Sequence, residues 1–228
     1  MHITDLNREC LVHLLSFLDK ESRKQFSEMC RDLRQVFFDP ALWTLLNFHS
    51  PSELKRDNFV LGSALRYLSV CWHSSRVKVC NIEDWVKTTF QKDICSKHES
   101  TVSDFLSKVS KSRCPSLLSL TLSGCGNVTD HDVTLLLQSC LRLRILRLEN
   151  CVRLTDCTLQ ALVRHGRSLQ SVQVDFCRNV TQDGLRLVRE RRPSLELTAE
   201  RSRGMIPDSK PGEKLQLGRT LQKLLQYS

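Results

Sequence analysis

Three cysteines, Cys125, Cys151 and Cys177, recur at intervals of 26 residues, and the same apolar pattern surrounds each of them. The first two copies read L-x-x-L-x-L-x-x-C-x-x-[V/L]-T-D, and the third keeps every apolar position, with Val172 and Val174 in place of leucine, but has Gln182 at the acidic position. In the first copy the matched positions are Leu117, Leu120, Leu122, Cys125, Val128, Thr129, Asp130, Val133 and Leu136. A chain with such repeats is constrained to stack them, which excludes an ordinary globular enzyme fold.

Each copy combines two periodicities. Apolar residues two apart indicate a strand with one buried face, and the spacing of three from Val133 to Leu136 indicates a helix. One strand and one helix cannot bury their own apolar faces, so we predict an α/β solenoid with a parallel sheet on its concave side. The pattern resembles the cysteine-containing class of leucine-rich repeat, which implies that the cysteine ends the strand and that Thr129 and Asp130 begin the helix. Short polar side chains suit a helix start because they satisfy its unpaired amides.

The strand spacing also predicts which side chains face outward from the sheet. Between inward Leu120 and Leu122 the chain must turn Thr121 outward, with Ser119 and Ser123 on either side. The candidate target-binding residues on this concave face are Thr121, Ile145, Arg147, Glu149, Gln173 and Asp175, accompanied by Ser171. Two interpretations remain open, a protein-binding surface and a solvated sheet face.

Size, charge and cysteine content bound the class of protein. The chain has 228 residues, 40% of them hydrophobic, and no run long enough to span a membrane. The first residues lack the features of a secretion signal, so we expect an intracellular protein, cytoplasmic in the first place with the nucleus as the alternative. Eleven cysteines are then expected to be reduced thiols.

Zinc and nucleic acid are two other ligands that the sequence brings into question. Cys71, His73, Cys80, Cys95 and His98 form the one cluster suited to zinc, but no pair has C-x-x-C spacing, and we favour ordinary packing with no metal and no cofactor. The net charge of +9 raises nucleic acid as a partner. The late arginines have no interleaved aromatic residues, so we favour a solvated basic face.

The first 49 residues follow a different pattern. Leu11, Leu14, Leu15 and Leu18 have helical spacing, and Asp19 suits the cap of a second helix. Asp39 followed by Pro40 predicts a further helix, which would carry Leu42, Trp43, Leu45 and Leu46. We therefore predict a compact all-α module.

This module resembles the F-box, the motif that docks substrate receptors onto the Skp adaptor of cullin-RING ubiquitin ligases. The resemblance rests on L-N-R-E-C-L-x-x-L-L-S-F-L-D from Leu6, C-R-D-L-R from Cys30 and D-P-A-L-W ending at Trp43, with Asn7 in place of the usual proline. Together with the repeats, it resembles the F-box and leucine-rich repeat protein family. The resemblance implies adaptor contacts among Leu6, Leu11, Leu14, Leu15, Leu18, Cys30, Leu33, Leu42 and Trp43, with Trp43 first because tryptophan often dominates binding energy.

The remaining segments complete a four-part organisation: 1–49, 50–113, 114–199 and 200–228. Leu65, Leu68 and Val70 predict a degenerate first repeat, and the helical spacings of Ile82 to Phe90 and of Val102 to Val109 predict a cap for the solenoid. Leu195 and Leu197 begin a partial fourth repeat. Beyond it we predict a flexible linker and an amphipathic helix from Leu217, which either closes the solenoid, the favoured interpretation, or docks onto a partner.

No catalytic arrangement is visible, since the chain has no phosphate-binding glycine loop, no nucleophile elbow and no H-E-x-x-H motif. By the resemblance, we expect a non-catalytic substrate receptor of a Skp–cullin–F-box ubiquitin ligase, holding an unidentified protein target for degradation. The alternatives are a leucine-rich scaffold or inhibitor without a ubiquitin-ligase role and, less favoured, a basic nucleic-acid binder.

Overall fold

Six parallel strands form one sheet in the order of the chain. The computed structural model describes residue 3 and residues 6–72, 86–112 and 114–200. The strands are β1 (Leu45–Phe48), β2 (Tyr67–Cys71), β3 (Ser119–Ser123), β4 (Ile145–Glu149), β5 (Ser171–Asp175) and β6 (Glu196–Thr198). The helices described are α1 (Arg8–Ser16), α2 (Lys20–Met29), α3 (Arg31–Phe37), α4 (Thr89–Lys111), α5 (Asp130–Ser139), α6 (Asp156–His165) and α7 (Gln182–Arg191). Helices α4 to α7 pack side by side, each against the next.

The strand register reproduces the 26-residue repeat. Leu120 lies opposite Leu146, and Leu146 lies opposite Val172, so equivalent residues of successive copies are neighbours in the sheet. All three side chains are at most 1% exposed. Burying one such side chain contributes about 1.5–3 kcal/mol, and this gain depends on the adjacent copy being present. The predicted parallel sheet is confirmed.

The repeat cysteines occupy the interior, where each thiol reaches the strand of the preceding copy. The Cys125 thiol donates to the Val70 carbonyl at 3.4 Å, Cys151 to Leu122 at 3.5 Å and Cys177 to Leu148 at 3.6 Å. A side chain this small and weakly polar fills the space behind a strand end while satisfying a carbonyl there. The cysteines in the described part of the chain are free thiols.

The threonine of each T-D pair caps its own helix, as expected. Thr129 begins α5 in a capping box with Asp132, and Thr155 and Thr181 cap α6 and α7. The aspartate has a different role from the one predicted. The Asp130 carboxylate accepts bonds from the N–H and hydroxyl of Thr155 in the next copy, at 2.9 and 2.7 Å. It therefore joins two repeats and does not serve its own helix start.

Strand β1 corrects the prediction of an all-α module over residues 1–49. Leu45 and Leu46, predicted as helical, lie in this strand, which pairs with β2 through Leu46 opposite Leu68. The Asp39–Pro40 signal produces only a short 3-10 turn, Pro40–Trp43. The alternation of exposed Leu45 and Asn47 with buried Leu46 and Phe48 has the period of a strand, and the neighbouring β2 supplies its pairing partner.

The connecting segment contains the degenerate repeat that the sequence predicts. Leu68 and Val70 on β2 lie opposite Leu120 and Leu122 on β3. Helix α4 carries buried Val102, Phe105, Leu106 and Val109 and packs against α5, so it is the helix of this first repeat. Ile82 and Trp85 lie outside the described residues, and Phe90 on α4 is 75% exposed. The sequence predicted that Phe90 belongs to the apolar side of a helix that caps the solenoid. Phe90 is helical, but its side chain does not contribute to a buried face.

Strand β6 pairs with β5 at the position predicted for a partial fourth repeat, with Leu197 opposite Val172. The predicted linker and amphipathic helix of residues 201–228 lie outside the described residues. No helix in the described ranges combines the length and apolar character needed to cross a bilayer.

Candidate protein-interaction sites

The helical segment before β1 is held together by a half-buried arginine. Arg23 on α2 donates to the carbonyls of Leu15 and Leu42 at 2.8 Å and of Ser16 at 3.0 Å. Its guanidinium also lies 5.3 Å from the centre of the Trp43 ring. Burial lowers the pKa of Arg23, and Asp19 opposes that effect. One side chain thus fixes the end of α1 against the 3-10 turn.

Side-chain caps define where these helices begin. Asn7 accepts from the Cys10 N–H at 2.8 Å, Asp19 from Ser22 at 2.7 Å and Asp39 from Ala41 at 3.0 Å. The first of these explains why Asn7 is tolerated where the F-box pattern has proline. An asparagine cap satisfies an amide of the first turn, which proline does not do, and so replaces the lost rigidity with a hydrogen bond.

The expected adaptor-binding residues divide into two groups by burial. Five of them, Leu11, Leu15, Leu33, Leu42 and Trp43, are at most 5% exposed. The Trp43 ring nitrogen donates to the Phe37 carbonyl at 2.6 Å, so this residue, expected first at the interface, lies in the core of the chain itself. The half-buried members are Leu6, Leu14, Leu18 and Cys30.

Exposed apolar residues that the sequence did not predict lie at the carboxyl ends of these helices. Phe17 is 76% exposed, Met29 68% and Phe38 55%. Phe17 directly follows α1 and lies three residues after Leu14, so both are on the same side, while Leu11 and Leu15 face inward. The signal was available in the S-F-L run, but a single helical stripe does not show that its neighbouring phenylalanine is left uncovered.

On the concave face the register brings the predicted target-binding residues together. Thr121, Arg147 and Gln173 lie opposite one another on β3, β4 and β5. Arg147 and Glu149 are exposed, while Thr121, Ile145 and Gln173 are half-buried. The sheet therefore forms a contiguous, mainly polar surface from residues of three repeats.

Asp175 departs from the predicted exposed position, since it is only 4% exposed. Its carboxylate accepts from the Glu200 N–H at 2.7 Å and from the Gln173 amide. Ser123, also expected to face solvent, is 4% exposed and donates to Glu149 at 2.8 Å. At these strand ends the outward side chains therefore form hydrogen bonds within the protein and are not available to a partner.

The concave face extends further toward the helical segment than predicted. Leu45 on β1 and Tyr67 on β2 are directly opposite each other and are 53% and 47% exposed. Through Ser119, the same row continues to Ile145. The concave face is therefore apolar at β1 and β2, near the amino-terminal helices, and charged at β4. This part was missed because the residues of β1 were predicted as helix.

The suggested zinc cluster gains no support in the described part of the chain, where no group of three or more metal-binding side chains converges. Two of its members, His73 and Cys80, lie outside the described residues. Cys95 is 2% exposed, and burial lowers the pKa of His98, with Lys55 adding to the effect. Cys71 lies 2.9 Å from the Ser69 hydroxyl.

A helical segment leading into stacked strand–helix repeats with interior cysteines defines the chain as a leucine-rich repeat protein with an amino-terminal helical segment. No family model matches the chain. It is 62% identical over 211 residues to "F-box and leucine-rich protein 22" of Mus musculus, covering 92% of this chain and 89% of that protein. It is 66% identical over 109 residues to "F-box and leucine-rich protein 22" of Homo sapiens, covering 48% of this chain and 44% of that protein.

The chain belongs to the F-box and leucine-rich protein family. The run W-H-S-S-R-V from Trp72 is typical of the short family member designated 22, and both relatives carry that number, which confirms this resemblance.

Proposed function

We propose that the chain is the substrate-recognition subunit of a Skp–cullin–F-box ubiquitin ligase. Residues 1–49 dock onto the Skp adaptor and, through it, the cullin-RING scaffold, and the repeats hold a protein target. The chain performs no chemistry itself and requires no cofactor. It raises the effective concentration of target lysines beside the charged ubiquitin-conjugating enzyme. The protein works inside the cell, in the cytoplasm.

The observation that carries the proposal is the uncovered apolar side of the helical segment. The Phe17 ring contacts His13 edge-on, but it is 76% exposed, so most of its apolar area faces water. Aromatic side chains of this kind are enriched among residues that dominate protein interfaces. We assign the adaptor contact to Phe17 together with half-buried Leu6, Leu14, Leu18 and Cys30. The buried set, including Trp43, maintains the shape of that surface.

The target is assigned to the concave face. Its exposed charged pair, Arg147 and Glu149, lies beside half-buried Thr121, Ile145 and Gln173, and apolar Leu45 and Tyr67 extend it. Asp175 supports this face through its hydrogen bonds to Gln173 and Glu200. A partner segment lying across the repeats would meet an apolar end and a charged end.

The test separates the two surfaces in cells. Wild type, Phe17→Lys and an Arg147→Ala/Glu149→Ala variant are purified with their bound proteins, and ubiquitin conjugates on those proteins are measured. Wild type is expected to retain adaptor, cullin and conjugated targets. Phe17→Lys is expected to lose adaptor and conjugates but keep targets, and the concave variant to keep the adaptor but lose targets. A wild-type chain that retains neither adaptor nor cullin would show a leucine-rich scaffold without a ubiquitin-ligase role.

A further inference from the structure

Four arginines line one cleft at the edge of the sheet where strands begin. Arg142 and Arg144 precede β4, Arg167 precedes β5 and Arg192 precedes β6. The cleft they line has a volume of about 580 Å³. The three segments are neighbours, because the Gln170 N–H donates to the Arg144 carbonyl at 2.8 Å and the Glu196 N–H donates to Gln170 at 2.9 Å.

Arg192 has a structural task in this cleft. Its guanidinium donates to the Gly166 carbonyl at the end of α6, to Arg167 at 3.3 Å and to Leu169 at 3.3 Å. It therefore caps a helix carboxyl end, where a cation is favourable. The Arg192 guanidinium is therefore a positive charge held in a fixed position in the cleft.

The other three arginines have no such task. Arg142, Arg144 and Arg167 are exposed, and none of them has a carboxylate partner within the described residues. The repeat does not require them, because the first copy has Ser116 and Leu118 where the second has Arg142 and Arg144. Like charges around one cleft repel one another, which disfavours the free protein. An anionic partner would remove that repulsion.

From this geometry we propose that the cleft binds an acidic peptide segment, one with aspartate or glutamate at alternate positions. Guanidinium groups bind carboxylates in a bidentate manner, which favours arginine over lysine. Neighbouring strands are about 4.8 Å apart, so the three strand starts span about 10 Å. In an extended peptide, alternate side chains lie on the same side about 7 Å apart. Alternate carboxylates can therefore contact several arginines of the row, which one isolated anion cannot do.

Other occupants fit this cleft less well. Among the described residues no aromatic side chain lines it, so they give single-stranded nucleic acid nothing to stack on. The chain's own residues 201–228 contain six Lys and Arg against two Asp and Glu, which makes that segment an unsuitable anionic ligand. That the peptide belongs to a ubiquitination target rests on the proposed function, whereas the binding of an acidic peptide does not.

The test measures fluorescence anisotropy of a labelled twelve-residue Glu-Ser repeat peptide with the purified full chain. Three comparison probes are the same peptide with Lys for Glu, a twelve-nucleotide oligothymidine and phosphatidylserine vesicles, and a fourth carries one phosphoserine in a Gly-Ser peptide. The cleft variant is Arg142→Gln/Arg144→Gln/Arg167→Gln. Its charge-matched control is Arg164→Gln/Arg189→Gln/Arg191→Gln, three exposed arginines of α6 and α7. Circular dichroism checks that both variants fold.

We expect the Glu-Ser peptide to bind wild type, the control to retain that affinity within about twofold, and the cleft variant to lose at least about tenfold. Equal losses in both variants would show an effect of net charge alone and overturn the proposal. Tighter binding of oligothymidine, vesicles or the phosphoserine peptide, lost in the cleft variant, would assign the cleft to that other class. Adaptor co-purification, measured in parallel, is expected to be unchanged in both variants, so failure of the adaptor interaction would be seen separately.

Discussion

Asp130 on α5 accepts hydrogen bonds from both the backbone N–H and the hydroxyl of Thr155, the residue that caps α6. It also accepts from the N–H of Thr158 at 3.1 Å. Asp156 binds Thr181 in the same way, at 2.8 and 2.7 Å. The series ends at Gln182, beyond which the sequence has no further T-D pair. The acidic position is thus explained by the threonine of the repeat that follows it.

Replacing Asp130 with alanine is expected to lower the free energy of unfolding by about 3 kcal/mol. The change removes a charged acceptor and leaves part-buried donors of Thr155 and Thr158 without it. Urea unfolding of the full chain measures the loss. Asp183→Ala is the control, since Asp183 is exposed and bonds only to Arg186, and it should change stability by less than about 0.5 kcal/mol. Equal effects would contradict the inter-repeat role.

Gly124 is expected to reject any side chain. Its φ is +68°, and a Cβ there would lie 2.6 Å from the backbone oxygen of Trp72. Gly124→Ala should therefore destabilise the protein by about 2 kcal/mol or more. The alanine would have to adopt a left-handed backbone conformation, and its Cβ would clash with the backbone of Trp72. Thermal unfolding compares it with Gly62→Ala, where a Cβ meets nothing within 4 Å. A Gly124 variant as stable as the Gly62 variant would show that this turn adjusts freely.

Arg23→Gln should destabilise the helical segment by about 2–3 kcal/mol, because three carbonyls lose a charged donor. Hydrogen exchange of α1 and α2 localises the effect. The expected result is faster exchange there, with α5 to α7 unchanged. Arg31→Gln, an exposed arginine on α3, is the control. Uniformly faster exchange in the whole sheet would contradict the local role of Arg23.

The helical segment is expected to lose stability in acid. The Ala41 N–H and the Arg8 guanidinium hold the pKa of Asp39 below its ordinary value of 3.8. A carboxyl with a lowered pKa in the folded state stabilises the protein above its ordinary pKa, and this contribution disappears as pH falls through the lowered value. Unfolding measured from pH 6 to pH 2 should show the loss below about pH 4. Asp39→Asn should flatten that part of the profile, and an unchanged profile would contradict the assignment.

Much of the solenoid was predictable because the same pattern of residues recurs in three copies, so each copy supports the interpretation of the others. The alternation of Leu120 and Leu122, matched in two further copies, predicted the parallel sheet, and the repeated cysteines predicted their inward position. The partner of Asp130 was not predictable in the same way. A T-D pair reads as a local cap, and only the stacked geometry shows that its carboxylate reaches Thr155.

The helical segment was predicted less completely. Asp19 and the α1 stripe gave correct helix starts and an inward side, whereas β1 was mistaken for helix because four residues are too few for a clear period. Trp43 illustrates a second limit. Its residue type favours an interface, but three-dimensional packing against Phe37 and Arg23 places it in the core. The arginine cleft likewise depends on three loops meeting at one sheet edge.

Calorimetric titration of the full chain with the purified Skp adaptor tests the adaptor contact at Phe17 most directly. Phe17→Lys is compared with wild type and with Phe90→Lys, a change at an equally exposed phenylalanine on α4. A cation suits the carboxyl end of α1, so the variant should remain folded. Phe90→Lys is expected to keep wild-type affinity, and Phe17→Lys is expected to lose at least about thirtyfold. Equal affinities for all three proteins, or no adaptor binding by wild type, would contradict the adaptor contact at Phe17.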